Sequence, residues 1–203
     1  LCLILCHSSG CASSLKRKWQ PCSPAGGEKD PRTHLALGIC WEREGHHEFA
    51  LSEYRKALAL SPHEKEARER LALGYLQKGD DIFAVREFLL LLNDDPNNLT
   101  ALFKLGTIFY RQGKEALAIS SFFRVLEIDP GCAKAWYNLG AIYANRINGD
   151  DREKAEAHFR MYMKLAPGSK QEEAIVKWIE RQKQTNDAHG HHRTGGEKAL
   201  PLQ

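Results

Sequence analysis

No apolar run of roughly 18 residues or more occurs in the chain, so no segment has the length and hydropathy of a helix that crosses a bilayer. An excess of one charge is also missing. Twenty-nine Lys and Arg stand against 26 Asp and Glu, a net +3, and the two signs are interleaved, which argues against a nucleic-acid footprint. Cysteine is present but badly placed for a disulfide framework: Cys2, Cys6, Cys11 and Cys22 precede the patterned part of the chain. That leaves Cys40, expected as a small buried hydrophobe, and Cys132, both expected as free thiols in an oxidising compartment. Cys6 to Cys11 inverts and lengthens the haem-attachment spacing and does not form that motif. Clustered acid–base or metal-ligating residues are equally scarce. His46-His47-Glu48 has no third ligand partner, which makes a metal-dependent enzyme the most distant reading, and Asp80-Asp81 and Asp150-Asp151 read as caps and first-turn charges favoured by the helix dipole. No catalytic residue, metal or cofactor is expected.

What the chain does have is a period. Pro62, Pro96 and Pro130 stand 34 residues apart, and the residues between them recur in register. Leu37, Gly38, Trp41, Ala50 and Tyr54 are followed by Leu71, Ala72, Tyr75, Ala84 and Phe88, then Leu105, Gly106, Phe109, Ala118 and Phe122, then Leu139, Gly140, Tyr143, Ala155 and Phe159. Small residues (Gly38, Ala72, Gly106, Gly140) are expected on a first helix facing Ala50, Ala84, Ala118 and Ala155 on a second, so that ridges enter grooves. The aromatics fill the space around that contact, each burial contributing roughly 1.5–3 kcal/mol. His34 and Arg68 occupy a position where a bulky apolar residue is usual. Ser61 to Glu64 and Ser169 to Glu172 have capping-box spacing. The fourth period is 37 residues, Pro130 to Pro167, with three extra residues around Asn145–Asp151 expected in an inter-helix loop.

Trp136, Leu139, Gly140, Tyr143, Ala155, Phe159 and Pro167 carry the whole W-x2-L-G-x2-Y, A-x3-F, P pattern, and this resembles the tetratricopeptide repeat family. The resemblance implies an all-α solenoid of four helix pairs. Ala174, Ile175, Trp178 and Ile179 at helical spacing, with Lys177, Glu180, Arg181 and Lys183 opposite, are expected to add a C-terminal capping helix. The expected organisation is a leader or linker over 1–30, the repeat domain over 31–186 and a tail over 187–203, whose His189, His191 and His192 lack the geometry of a metal site. No second catalytic domain fits. The family further implies that the first helices line a concave groove, formed here by Arg70, Gln77, Phe103, Lys104, Thr107, Arg111, Gln112, Lys134, Tyr137 and Asn138 among others. Such a groove is modestly basic, with Phe103 and Tyr137 as exposed aromatic faces, and suits a peptide with acidic and apolar residues. The carboxylate clamp of chaperone-binding members is not expected, because Asn138 alone matches it. The function expected is a non-enzymatic protein-interaction scaffold.

Its location depends on the N-terminus. Leu1 to Cys6 followed by Ser9-Gly10-Cys11 resembles the lipobox of bacterial lipoproteins, with Cys11 as the lipidated residue, although Ser8 and the missing charged n-region depart from that pattern. A genuine leader implies a periplasmic or outer-membrane-anchored assembly protein, similar to the tetratricopeptide pilotins of type IV pili; otherwise the chain is a cytoplasmic adaptor or co-chaperone. Mass spectrometry of the natively produced N-terminal peptide separates the two. A diacylglycerol on Cys11 is the envelope outcome, and an unmodified terminus upstream of Cys11 is the cytoplasmic one.

Overall fold

The structure is a computed structural model that describes residues 29–146 and 149–188. Within them every regular element is a helix, in two compact units meeting in sequence at Asp94 and Asp95. The first unit holds α1 (Pro31–Arg43), α2 (His47–Leu60), α3 (Lys65–Lys78) and α4 (Asp81–Asp94). The second holds α5 (Leu99–Arg111), α6 (Glu115–Ile128), α7 (Ala133–Ala144), α8 (Gly149–Leu165) and α9 (Glu172–Ala188).

Helices α1 and α2 pack as a pair, as do α3 and α4, α5 and α6, and α7 and α8. The four aromatics of the second helices, Tyr54, Phe88, Phe122 and Phe159, are at most 1% exposed and form the centre of each pair. What lets them in is the residue opposite. A Cβ on Gly38 would stand 2.3 Å from the Tyr54 ring, one on Gly106 2.9 Å from Phe122, and one on Gly140 2.6 Å from Phe159. The glycines therefore make room for the aromatics and not, as the sequence pattern suggested, for the alanines, which are buried in their own right.

Turns keep the same register. Gly45, Gly79 and Gly113, 34 residues apart, have φ of 79°, 84° and 72°, the left-handed region that only glycine adopts freely. Helices α2, α4, α6 and α8 each stop two residues before Pro62, Pro96, Pro130 and Pro167. Capping is more varied than the sequence suggests. Asp30 accepts from Arg32 N–H with Pro31 at the first helical position, and Asn98 accepts from Ala101 N–H at 2.9 Å. Ser61 instead closes α2, with Glu64 at the start of α3, and the Ser169 hydroxyl is buried without a partner while Glu172 reaches back to Gly168 N–H at 2.6 Å. Neither serine caps as its spacing predicts.

The three extra residues of the fourth period do not simply lengthen a loop. Helix α8 has 17 residues where α2, α4 and α6 have 14, so the insertion is absorbed as an added first turn rich in acidic residues, which suits a helix N-terminus. Arg146 anchors the approach, reaching Glu115 at 3.0 Å and Asp151 at 3.8 Å, and its guanidinium lies 5.2 Å from the Tyr143 ring centre. Helix α9 buries Ile175, Trp178 and Gln182, with the Trp178 ring edge-on to Phe159 at 5.5 Å, while Lys177, Glu180, Arg181 and Lys183 stay exposed; Ala174 lies on the exposed side as well. Cys132 is a free thiol at the start of α7, whereas Cys40 is disulfide-bonded, contrary to expectation.

Replacing Gly140 by alanine adds about 1 kcal/mol of helix propensity but drives a methyl into the root of a fully buried ring, which costs about 1–3 kcal/mol. At Gly106 the clash is with the far edge of Phe122, so the same change is milder. Thermal melts followed by circular dichroism should show Gly140→Ala less stable than Gly106→Ala. The reverse order would show that the glycines do not set the pair spacing.

Candidate partner-binding face

The residues expected to line a groove fall on the first helices of both units, and each unit treats them differently. In the first unit Arg70, on α3, is held by its own chain. Its guanidinium donates to Glu66 at 3.0 Å and to Glu42 of α1 at 3.2 Å, and the Tyr54 hydroxyl donates to the same Glu42. Burial, with the Glu42 carboxylate beside it, pushes the Tyr54 hydroxyl well up from its ordinary value. Gln77 is exposed and lines a cleft of about 470 Å³ with Gly45, His46, Phe49, Leu51 and Lys78. Glu48, at the same cleft, is 2.8 Å from Lys78, which holds its carboxyl below the usual range. His46 sets its ring against Trp41 at 5.5 Å. No group of three or more potential metal ligands occurs among the described residues.

In the second unit α5 presents Phe103, Lys104, Thr107, Arg111 and Gln112. Phe103 is half-buried, its ring edge-on to Phe122 at 5.4 Å, and the Thr107 hydroxyl donates to the Phe103 carbonyl at 3.1 Å. Lys104 is half-buried, and Arg111 and Gln112 are exposed at the helix end. On α7 Lys134 is exposed, but Tyr137 and Asn138 are 2% and 0% exposed and present no face to solvent. Tyr137 packs instead on Phe159 and Tyr162 of α8, at 5.9 and 5.1 Å, and burial raises its hydroxyl pKa. The expected exposed aromatic face at Tyr137 is therefore absent. Cys11 lies outside the described residues.

Sequence reading missed a second recurring contact. His34 Nδ1 lies 2.6 Å from Glu53, and Arg68, one period on, donates to Glu87 at 3.0 Å; all four side chains are 12% exposed. Burial alone would raise the Glu53 pKa, but hydrogen bonds from Lys56 and His34 outweigh it and hold the carboxyl below its ordinary value. In the fourth pair the same two positions carry Trp136 and His158, ring centres 5.5 Å apart. The signal was available, since Glu53 and Glu87 are one period apart and face the two residues that break the apolar pattern.

His158 has no carboxylate opposite. Its ring lies flat on Tyr143 at 5.4 Å and near Phe123 at 5.8 Å, and its Nδ1 is buried without a partner. Burial lowers its pKa from 6.5 to about 4.

Residues 84–131 match the tetratricopeptide repeat family model. Those residues therefore contain a tetratricopeptide repeat, and the helix pairs on either side repeat its all-α pattern. Similar solved structures include MamA, at 18% identity and a TM-score of 0.61 over 85% of this chain and 88% of that one, and MamA AMB-1, at 26% identity and 0.61 over 72% and 79%. PilF of Pseudomonas aeruginosa is similar at 19% identity and 0.63 over 78% and 71%. A comparison with curated proteins finds no match.

Between pH 6.5 and 4 the unfolded chain takes a proton at His158 that the folded chain refuses, so the folded state is favoured fully above that window and progressively less as the pH falls through it. His158→Phe removes this dependence. Melting curves across the window should show the wild type losing more stability toward acid than the variant, and parallel losses would contradict the buried neutral imidazole.

Proposed function

We propose that the chain is a non-enzymatic interaction scaffold that holds a peptide segment of a partner protein on the first helices of its pairs, with α5 as the principal docking helix. One observation carries this reading. The second helices turn Tyr54, Phe88, Phe122 and Phe159 wholly inward, with Phe49, Phe83 and Phe123 left at the surface, whereas α5 keeps Phe103, Lys104 and Thr107 half-open and leads into Arg111 and Gln112, both exposed, at its end. Phe103 is already braced against Phe122, so a partner side chain meets a surface fixed in place, and little ordering cost falls on binding. A peptide laid along such a helix presents alternate side chains to it, and exposed first-helix residues choose among them. The match of residues 84–131 to the tetratricopeptide repeat family model supports protein partners in general. The envelope setting has only the Leu1 to Cys11 pattern for support, so attachment through Cys11 belongs to the proposal as a location and not as part of the docking chemistry.

A photo-crosslinking residue placed at Thr107 tests the docking helix, with one at Ser120, exposed on α6, as the comparison. Crosslinks to one partner, identified by mass spectrometry and reproduced with the purified partner, should form from position 107 and not from 120. Crosslinks from 120 alone would move the docking surface to the second helices.

A further inference from the structure

Within the second unit the charges are sorted by helix. The first helices α5 and α7 contain no aspartate or glutamate at all, yet carry Lys104, Arg111 and Lys134. Five of the unit's carboxylates are engaged elsewhere: Glu115 and Asp151 with Arg146, Glu127 with Arg124, Glu156 with Arg160, and Glu173 with Lys177. Lys104 and Lys134 make no ion pair among the described residues.

The first unit gives the contrast at the same register position. Arg70, one period before Lys104, is neutralised by Glu66 four residues earlier on its own helix and by Glu42. The residue four before Lys104 is Thr100. A cation has been kept there and its intrahelical counter-charge is missing. Lys104 is half-buried beside Phe103, and no carboxylate among the described residues pairs with its ammonium. A lysine in this state favours an incoming anion, which gains the attraction without first displacing an internal partner.

We propose that the segment taken on α5 and the start of α7 is an acidic stretch of protein, with aspartate or glutamate side chains meeting Lys104 and Lys134 and an apolar residue lying on Phe103. This rests on the reading of α5 as the docking helix and adds the chemistry of what docks. Arg111, at the exposed end of α5, extends the same positive strip. Arg70 of the first unit does not compete for such a segment, because it is already paired. A folded nucleic acid or an anionic membrane is disfavoured, since three cations on two helices, in a chain of net charge +3, provide few phosphate contacts. The attraction is between partly exposed charges, so it weakens as salt shortens the screening length, about 8 Å at physiological ionic strength.

The full chain is titrated with a labelled peptide of about a dozen alternating glutamates and leucines and with its lysine counterpart, following fluorescence anisotropy over a salt series. The glutamate peptide should bind, more weakly as salt rises, and the lysine peptide should not. Lys104→Glu with Lys134→Glu should weaken binding by about tenfold or more, while the charge-matched pair Lys164→Glu and Lys170→Glu, both exposed and outside α5 and α7, should change it little. Circular dichroism confirms that each variant is folded. Equal losses in the two double variants would reduce the effect to net charge and overturn the proposal. Equal affinity for single-stranded oligonucleotide or phosphatidylglycerol vesicles would overturn the assignment to a protein segment. Absence of glutamate-peptide binding alongside specific crosslinks from Thr107 would defeat the acidic partner and leave the docking helix standing, whereas no specific crosslink from Thr107 would remove that helix itself.

Discussion

Close approach of a first helix to the aromatic of its second is the constraint on which each pair depends. Gly38, Gly106 and Gly140 have no side chain because Tyr54, Phe122 and Phe159 occupy that space, and in the remaining pair Ala72 and Phe88 hold the corresponding positions, both fully buried. Once the aromatic is inside, the direction of every neighbouring side chain on the first helix follows from helical spacing. On α5 Ala101, Leu102, Leu105 and Ile108 are buried with Gly106, while Phe103, Lys104 and Thr107 are left half-open.

The four pairs solve a shared problem with different chemistry. At one register position three of them place His34 against Glu53, Arg68 against Glu87, and Trp136 against His158. An ion pair that is largely out of water adds little net stability over a well-packed apolar contact, but removing one partner is costly. The fourth pair keeps an imidazole without a carboxylate and holds it neutral by burial among Tyr143, Trp136 and Phe123. Protonation is therefore penalised at His158.

Much of this was legible in the residues. The prolines, the inward aromatics and the apolar side of α9 follow from period and spacing, because those features are repeated and local. Tyr137 and Asn138 were misplaced because a position rule taken from a typical repeat ignores what covers this one: in the fourth pair Phe159 and Tyr162 close over Tyr137. The insertion was misread for a related reason. Counting residues shows that three are added, but only the acidic run at the start of α8 indicates that they join the helix. Ser61 and Ser169 have capping spacing without capping geometry, since each serine's backbone carbonyl accepts in the turn from the residue three later. The unpaired state of Lys104 was beyond reach, because it depends on where every carboxylate of the unit goes.

The sorting of charge within the second unit gives the account its functional content: acidic residues lie outside α5 and α7, and Lys104 and Lys134 on those helices make no ion pair among the described residues. Nuclear magnetic resonance of the isotopically labelled full chain with the acidic peptide tests this most directly. The account predicts shift changes concentrated at Phe103, Lys104, Thr107 and Lys134, with α6 and α8 unmoved. Changes concentrated on α6 or α8, with α5 silent, would contradict it.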